Sequence, residues 1–150
     1  MAASWLTVLS VSWHSAGLLR DLFAGMLALA DQPEQLRLLV ADNTGGADPD
    51  LHDLSFPHLD IVPVDVGGQI MSMGHAHGLN TLWPLVQTPF ALIVDPDVAM
   101  LRPGWDSALR QVFAAEDVVA VGAPFAPWKL GKYHDFPSPI FACWRSDALR

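Results

Sequence analysis

A continuous apolar run at residues 90–94, which ends abruptly at Asp95-Pro96-Asp97, constrains the fold more than any other feature of the sequence. An apolar strand without alternation is typical of a parallel sheet that is covered by helices on both faces. Further apolar runs of strand length lie at residues 5–11, 36–41, 59–64, 118–121 and 140–144. The chain therefore contains enough strand-like segments for one extended sheet.

Helix-like segments lie between these runs. Apolar residues recur at intervals of three and four from Ser15 or Gly17 to Ala30, and helices are also predicted at residues 75–86 and after Gly104. Alternating strands and helices predict a single α/β domain, residues 1–150, with a Rossmann-like, mostly parallel sheet that is flanked by helices.

Three local signals refine this fold prediction. Pro63 places the third strand at an edge of the sheet or marks its end. Residues 122–139 are rich in proline, glycine and aromatic residues, which predicts a long loop. Ser146 is expected to cap a last helix.

Composition narrows the classes of partner. The formal net charge is −8 and the chain has two lysines, so nucleic acid and anionic membranes are not expected as the main partner. The single cysteine excludes a disulfide framework and a cysteine-based zinc site. No apolar stretch approaches the ~20 residues of a membrane span. A cytoplasmic location is expected, while peripheral membrane association and a homodimer contact stay open.

Polar residues follow the predicted strands, at the edge where open α/β sheets bind ligands. Ser12 and His14 follow the first strand, Asp42 and Asn43 the second, and Asp95 the central one. Asp97 is two residues from Asp95, and two ionised carboxylates this close repel each other unless a cation lies between them. Such oxygen ligands suit Mg²⁺ or Mn²⁺. The alternative is a strand-ending turn with solvated aspartates, and the position directly after a buried strand favours the metal site.

Several segments, taken in order, resemble the family 2 glycosyltransferases of the GT-A fold. Residues 8–15 resemble the family's first strand, residues 39–45 its "V-D-N-G-S" segment, and residues 90–97 its "Y-I-L-x-L-D-x-D" strand and metal motif. Gly78-Leu79-Asn80 occupies the place of its "A-R-N" helix motif, and Asn80 precedes Asp95 by 15 positions.

This resemblance implies a GT-A domain that transfers a sugar from a UDP-, GDP- or dTDP-sugar to an unknown hydroxyl acceptor. Asp42 would hold the base or ribose, and Asp95 and Asp97 would hold Mn²⁺ or Mg²⁺ at the donor diphosphate. The expected donor contacts are Ser12, His14, Asp42, Asn43, His77, Asn80 and Asp95.

The sequence departs from the family pattern at two places. Leu79 stands where the motif has an arginine, so one expected phosphate contact is missing. The nearby His75 and His77 could replace that contact. Residues two apart do not share a helix face, so at least one of the two histidines is expected to be structural. Residues 140–149 resemble the segment that directly precedes the family's catalytic base. The acceptor part is therefore expected to be missing, with Asp135 as the remaining candidate for the base and Asp147 as a helix-start residue.

Three questions stay open at the level of sequence. The chain could bind a nucleotide sugar without turnover, or it could be a nucleotidyltransferase, although residues 14–17 lack the glycine-rich, basic loop of that class. A cationic and aromatic cluster either contacts the ligand or packs on the domain. Its members are Trp128, Lys129, Lys132, Tyr133 and His134.

Overall fold

The computed structural model describes residues 4–69, 71–132 and 134–149. The helices are α1 (Ala16–Leu29), α2 (Pro49–His52), α3 (Met71–Leu82) and α4 (Trp105–Phe113), with short 3-10 segments at Pro33–Gln35, Trp83–Leu85 and Ser146–Leu149. The strands are β1 (Leu6–Ser12), β2 (Leu36–Asp42), β3 (Leu59–Pro63), β4 (Phe90–Val94), β5 (Ala120–Pro124) and β6 (Pro137–Arg145). No helix in the described part of the chain is long and apolar enough to cross a membrane.

The strands form one sheet in the order β3-β2-β1-β4-β6-β5. The first four strands in this order are parallel, and β6 runs antiparallel to both β4 and β5. The α/β fold with a mostly parallel sheet is confirmed, and β3 lies at an edge as Pro63 predicted. Ser12 pairs with Asp42 in the sheet, so β1 and β2 end side by side.

The core consists of two clusters, one on each face of the sheet. Leu6 and Val8 of β1 belong to the first cluster, which includes the inner faces of α1 and α4. Leu9 and Val11 of the same strand belong to the second, which includes Leu82 of α3. Alternate residues of a strand point to opposite faces, so an apolar run of this kind is buried on both sides. Each fully buried leucine or phenylalanine stabilises the fold by roughly 1.5–3 kcal/mol.

The C-terminal strands are longer than the sequence predicted. β5 begins at Ala120, two residues later than expected, and continues to Pro124, while β6 already begins at Pro137. The loop between them is therefore residues 125–136. Gly122 explains part of this difference, because its missing side chain allows close contact with the Phe141 carbonyl group of β6.

Two predicted element starts are corrected. α3 begins at Met71, four residues before the predicted start at His75. Ser146 is the first residue of a 3-10 segment rather than the cap of an α-helix, and its buried hydroxyl has no hydrogen-bond partner among the described residues, so the prediction of a helix cap is wrong.

Candidate functional site

The carboxyl ends of the neighbouring strands β1, β2 and β4 lie together on one side of the sheet, and three adjoining cavities open there. The largest is a groove of about 820 Å³ beside the end of β4. Asp95 and Asp97 are the only carboxylates among its described lining residues, and the other walls are mostly apolar. The described lining residues are Ser15, Leu18, Met71, Ser72, His75, Ala76, Leu79, Asp95, Pro96, Asp97 and Pro139.

Two smaller cavities extend this groove toward β2 and β3. The first, of about 440 Å³, shares Met71 and His75 with the groove. The second, of about 470 Å³, shares Trp13, Asn43 and Gln69 with the first and is lined further by residues 64–66. The three cavities are called the cleft below. It runs from the Asp95 carboxylate past His75 to the indole of Trp13, which is 63% exposed.

The backbone around Asp95 is fixed by two hydrogen bonds. Its amide group donates to the carbonyl oxygen of Ile140 in β6 at 3.0 Å, and its carbonyl oxygen accepts from the amide of Val98 at 3.1 Å. The carboxylate itself is half-buried. Burial raises the pKa of Asp95, the nearby His75 opposes that change, and the negative charge of Asp97 raises the pKa further.

The donor atoms at this end of the cleft fit a hard divalent cation that is shared with a ligand. Asp95 and the exposed Asp97 supply carboxylate oxygens, and Nε2 of His75 is a buried polar atom without a hydrogen bond. The described residues contain no group of three or more His, Cys, Asp or Glu side chains that would hold a metal ion by itself. Mg²⁺ and similar ions are often bound by one or two carboxylates plus substrate phosphates and water, and this donor set matches that arrangement.

Asp42 has a different environment from Asp95, although it also ends a parallel strand. Its side chain is fully buried. Oδ1 accepts hydrogen bonds from the amide and the hydroxyl group of Thr44 at 2.9 and 2.6 Å, and Oδ2 lies 3.0 Å from Nε2 of His52. These contacts shape the turn after β2. The predicted contact of Asp42 with a base or ribose stays a prediction, and the carboxylate is not among the described lining residues of the cleft.

Asn43, by contrast, lines two of the three cavities. Its side-chain amide donates to the carbonyl oxygen of Gly74 at 2.8 Å, which attaches α3 to the end of β2. The contact is close because α3 presents glycines here: a Cβ atom at Gly78 would lie 2.8 Å from Oδ1 of Asn43. Small residues on α3 thus set the width of the cleft.

The turn after β1 contributes a residue that the sequence analysis missed. Ser12 is buried, and its hydroxyl group lies 3.0 Å from the hydroxyl of Ser15. His14 is exposed, with φ of 53° and Nδ1 at 3.9 Å from Oδ2 of Asp48. Neither is among the described lining residues of the cleft, whereas Trp13 lines two of its cavities. An apolar aromatic residue in a polar turn was the available signal.

On α3 the structure brings His75 and Leu79 to the groove. They are four residues apart and therefore share one helix face. His77 is half-buried but is not among the described lining residues. Asn80 is exposed and lines a separate cavity of about 320 Å³ that also contains Leu79. That only His75 of the two lines the groove agrees with the expectation that residues two apart do not share a helix face.

The loop at residues 125–136 lies apart from the described lining of the cleft. Nζ of Lys129 and Nζ of Lys132 lie 6.0 and 5.3 Å from the ring centroid of Phe125, while Trp128 is 80% exposed. Nδ1 of His134 lies 3.1 Å from the Phe125 carbonyl oxygen. The lysines thus lie around an aromatic ring of their own loop. Tyr133 lies outside the described residues.

The remaining candidate nucleophiles and bases are not in the cleft. Asp135 is exposed and is not among the described lining residues, and Asp147 lines a cavity beside Phe90, at the start of β4 and the opposite edge of the sheet. Cys143 is buried in the core, and this burial raises the pKa of its thiol to about 12. A thiol with so high a pKa is not a nucleophile at neutral pH.

Comparison with known proteins identifies the fold. No family model and no curated protein matches the chain. Among solved structures, it resembles the mannosyltransferase PcManGT from Pyrobaculum calidifontis in complex with GDP-Man and Mn²⁺, with a TM-score of 0.71 and 17% identity. It also resembles S. aureus TarS 1-349 in complex with UDP-GlcNAc, with a TM-score of 0.66 and 16% identity. The alignments cover 99% and 97% of this chain and 46% of each of the other two.

A third similar structure belongs to a different class of enzyme. It is 4-diphosphocytidyl-2C-methyl-D-erythritol synthase from Anaerococcus prevotii, with a TM-score of 0.54, 11% identity, and coverage of 97% of this chain and 72% of that one. The chain has the GT-A fold of the glycosyltransferases above. It spans about half the length of the first two structures.

Proposed function

We propose that this GT-A chain is the donor-binding part of a family 2-like glycosyltransferase, which moves a sugar from a nucleotide sugar to a hydroxyl acceptor. The observation that carries the proposal is the cleft, which joins an exposed indole to a pair of carboxylates at the carboxyl edge of the sheet. Solved structures of similar fold contain GDP-Man with Mn²⁺ and UDP-GlcNAc, which supports a ligand of this class.

The nucleoside would occupy the end of the cleft that contains Trp13. An exposed indole offers a flat surface for base stacking. Asn43 and Asp65 line the same end and supply hydrogen-bonding groups, and Oδ1 of Asp65 already accepts from the amide of Gly67 at 2.9 Å. This arrangement leaves Asp42 a supporting role, because it holds the turn from which Asn43 extends.

The diphosphate would lie near the groove end that contains Asp95 and Asp97. A chain of net charge −8 repels a diphosphate, so a cation is needed between them. Asp95 and Asp97 would hold Mn²⁺ or Mg²⁺, which as a Lewis acid stabilises the charge that develops on the departing diphosphate. The groove walls are mostly apolar, among them Leu79, and a bound donor that covers them would exclude water and so strengthen the electrostatic interactions inside the groove.

Activation of the acceptor is a separate matter from donor binding. A general base must reach the acceptor oxygen. Asp135 remains the candidate from the sequence. The acceptor, like the activity of the chain, is part of the proposal, since the chain covers 46% of the mannosyltransferase and of TarS 1-349.

Calorimetry with UDP, GDP and dTDP sugars, each with and without Mn²⁺, tests donor binding. We expect one nucleotide class to bind in a Mn²⁺-dependent manner, and the variant Asp95→Asn, Asp97→Asn to lose that dependence. Absence of binding by all three classes in both conditions would refute the proposal. Measuring donor hydrolysis by the same samples then separates an active enzyme from a binding module without turnover.

A nucleotidyltransferase is the second candidate, because a solved synthase of that class shares the fold at 11% identity. The turn at residues 14–17 contains no lysine or arginine that would meet a triphosphate. We therefore expect no pyrophosphate release from nucleoside triphosphates with a sugar phosphate. Release that depends on Asp95 would favour this class over the glycosyltransferase.

A further inference from the structure

We infer that His75 is a nitrogen ligand of the divalent cation, bound beside the Asp95 carboxylate, and that it biases the site toward Mn²⁺ over Mg²⁺. This inference rests on the proposed function, since it concerns the metal at the same groove. It adds a ligand from α3 that precedes both strand-end aspartates in the sequence and that neither the sequence motif nor the strand order indicates.

The first support is the contact between the two side chains. Nε2 of His75 lies 3.3 Å from Oδ1 of Asp95. The same nitrogen is buried and has no hydrogen-bond partner among the described residues, so the contact lacks hydrogen-bond geometry. A buried polar atom without a partner is costly, and in native proteins it commonly marks a functional role or a bound ion.

The second support is the match between this distance and a coordination sphere. Metal–nitrogen and metal–oxygen bonds to such ions are about 2.0–2.2 Å long, so two neighbouring ligand atoms on one metal lie about 3.0–3.5 Å apart. The observed separation of 3.3 Å falls in that interval. The spacing of the two atoms is therefore compatible with a shared cation, although the pair of His52 and Asp42 at 3.0 Å is as well, so the distance supports the assignment only together with the missing hydrogen bond. The remaining ligands would be phosphate, water and, after a rotation of its exposed side chain, Asp97.

A second histidine–aspartate pair in the same chain provides an internal comparison. Nε2 of His52 and Oδ2 of Asp42 lie 3.0 Å apart and do form a hydrogen bond. That pair is outside the described lining of the cleft, whereas the pair of His75 and Asp95 lies in the groove. Both pairs are within ion-pair distance, but only the pair of His52 and Asp42 also has hydrogen-bond geometry.

The third support is the position and rigidity of His75. It lines both the groove and the adjoining cavity, so it lies at the junction between the two proposed ends of the donor. The preceding residue, Gly74, accepts the hydrogen bond from Asn43 that attaches α3 to β2. The hydrogen bond between Asn43, at the nucleoside end of the cleft, and Gly74 therefore also fixes the backbone position of the adjacent His75.

The chemical consequence is metal selectivity. Carboxylate and water ligands suit Mg²⁺ and Mn²⁺ alike, whereas an imidazole nitrogen is a softer ligand that Mg²⁺ rarely accepts. A site with His75 should therefore prefer Mn²⁺ among these two ions.

Electron paramagnetic resonance of bound Mn²⁺ tests the assignment directly. The full chain with Mn²⁺ and UDP is expected to show a hyperfine coupling from a directly bound nitrogen. Labelling the protein alone with ¹⁵N is expected to change that coupling, which distinguishes a protein nitrogen from a base nitrogen. His75→Gln should abolish the coupling and weaken Mn²⁺ binding by about tenfold or more, with a smaller loss for Mg²⁺.

His58→Asn is the matched control, because His58 is exposed and lies at the opposite end of β3, and asparagine tolerates its φ of 56°. This variant should retain the coupling. Mn²⁺ that binds to the wild-type chain without a protein-nitrogen coupling would overturn the inference and leave the proposed function intact. Absence of Mn²⁺ binding in the presence of UDP, GDP and dTDP would overturn both. The wild-type spectra decide the question even if His75→Gln fails to fold.

Discussion

Asp42 and Asp95 follow parallel strands of the same sheet, yet the structure uses them in opposite ways. Asp42 is fully buried and its two oxygens contact Thr44 and His52. Asp95 is half-buried, lines the groove, and has a histidine nearby without a hydrogen bond. A carboxylate whose hydrogen bonds are already made supports structure, whereas one that is partly desolvated and not hydrogen-bonded is available to a ligand.

The same contrast extends to the segments around the two residues. Near Asp42, glycines of α3 pack directly on Asn43 and Val11, which makes this side of the cleft rigid. Near Asp95, Leu18 and Met71 line the groove with 50% and 85% of their surface exposed. The end of β2 thus fixes the shape of the cleft, while the end of β4 leaves a partly exposed surface, which is where we propose that the ligand binds.

The largest effect is expected for Asp42→Ala, which removes a carboxylate from the end of β2, the rigid side of the cleft. Removal of this carboxylate leaves the turn after β2 without its acceptors, and we expect the free energy of unfolding to fall by about 3 kcal/mol. Urea denaturation measures this change. Asp53→Ala, an exposed carboxylate at the end of α2, is the control and should change stability by less than about 0.5 kcal/mol. Equal effects of the two variants would contradict the structural role of Asp42.

A second test of the rigid side is Gly78→Ala. The added Cβ atom would lie 2.8 Å from Oδ1 of Asn43 and 3.1 Å from both Cγ atoms of Val11, so either the buried Asn43 side chain or α3 must shift. We expect a loss of about 1–3 kcal/mol in urea denaturation, although alanine has the higher helix propensity.

Gly25→Ala is the matched control for that experiment. Gly25 lies within α1, and a Cβ atom there would meet nothing within 4 Å. The substitution should therefore stabilise the protein by up to about 1 kcal/mol. If Gly78→Ala also stabilises, the close packing of α3 on the end of β2 is not what sets the cleft.

The comparison of Asp42 with Asp95 also indicates how far sequence reasoning extends. The apolar run of β4 and its abrupt end predicted both the buried strand and the edge where the cleft lies, because strand burial and strand direction are local consequences of the pattern. The sequence assigned both aspartates to ligand contacts, Asp42 to the base or ribose and Asp95 to the metal, and did not indicate that Asp42 makes structural hydrogen bonds. Their difference depends on Thr44 and His52, whose side chains reach Asp42 only after the turn and α2 have folded.

Other differences have similar causes. The sequence did not indicate which of the two histidines of α3 lines the groove; it is His75, which depends on how α3 is rotated against β1 and β2, and the donor contact assigned to His77 stays a prediction. The extent of β5 and β6 depends on pairing between distant segments, such as Pro124 with Pro137, and proline-rich composition alone predicted a loop. Side chains that tertiary contacts orient are thus the part that local patterns do not predict.

On the open side, Trp13→Ala tests whether the exposed indole binds the nucleoside. Base stacking on an aromatic side chain is worth about 1–3 kcal/mol, so affinity for the preferred nucleoside diphosphate should fall about tenfold while stability changes little. Calorimetry measures the affinity. Trp128→Ala is the control, since this indole is also exposed but lies outside the described lining of the cleft. An equal loss in both variants would instead favour a ligand contact by the loop at residues 125–136.

The smallest effect on stability is expected for Asp95→Asn in the absence of metal. Whether this substitution stabilises or destabilises the protein tests the contrast between Asp95 and Asp42. Burial raises the pKa of Asp95 above its ordinary value of 3.8, so the folded state binds the proton more tightly than the unfolded state. Ionisation of Asp95 therefore destabilises the metal-free fold. This penalty is absent below the ordinary value, grows as pH rises through the raised pKa, and is complete above it.

Asp95→Asn should accordingly be slightly more stable than the wild type at pH 7 and equally stable near pH 3, as measured by thermal unfolding across this range in a chelating buffer. Asp117→Asn, at an exposed carboxylate outside the cleft, should show no such difference. Mn²⁺ should then reverse the order, because it stabilises only the chain that binds it. A wild type that is more stable than Asp95→Asn at neutral pH without metal would place Asp95 with Asp42, among the carboxylates that hold the fold together.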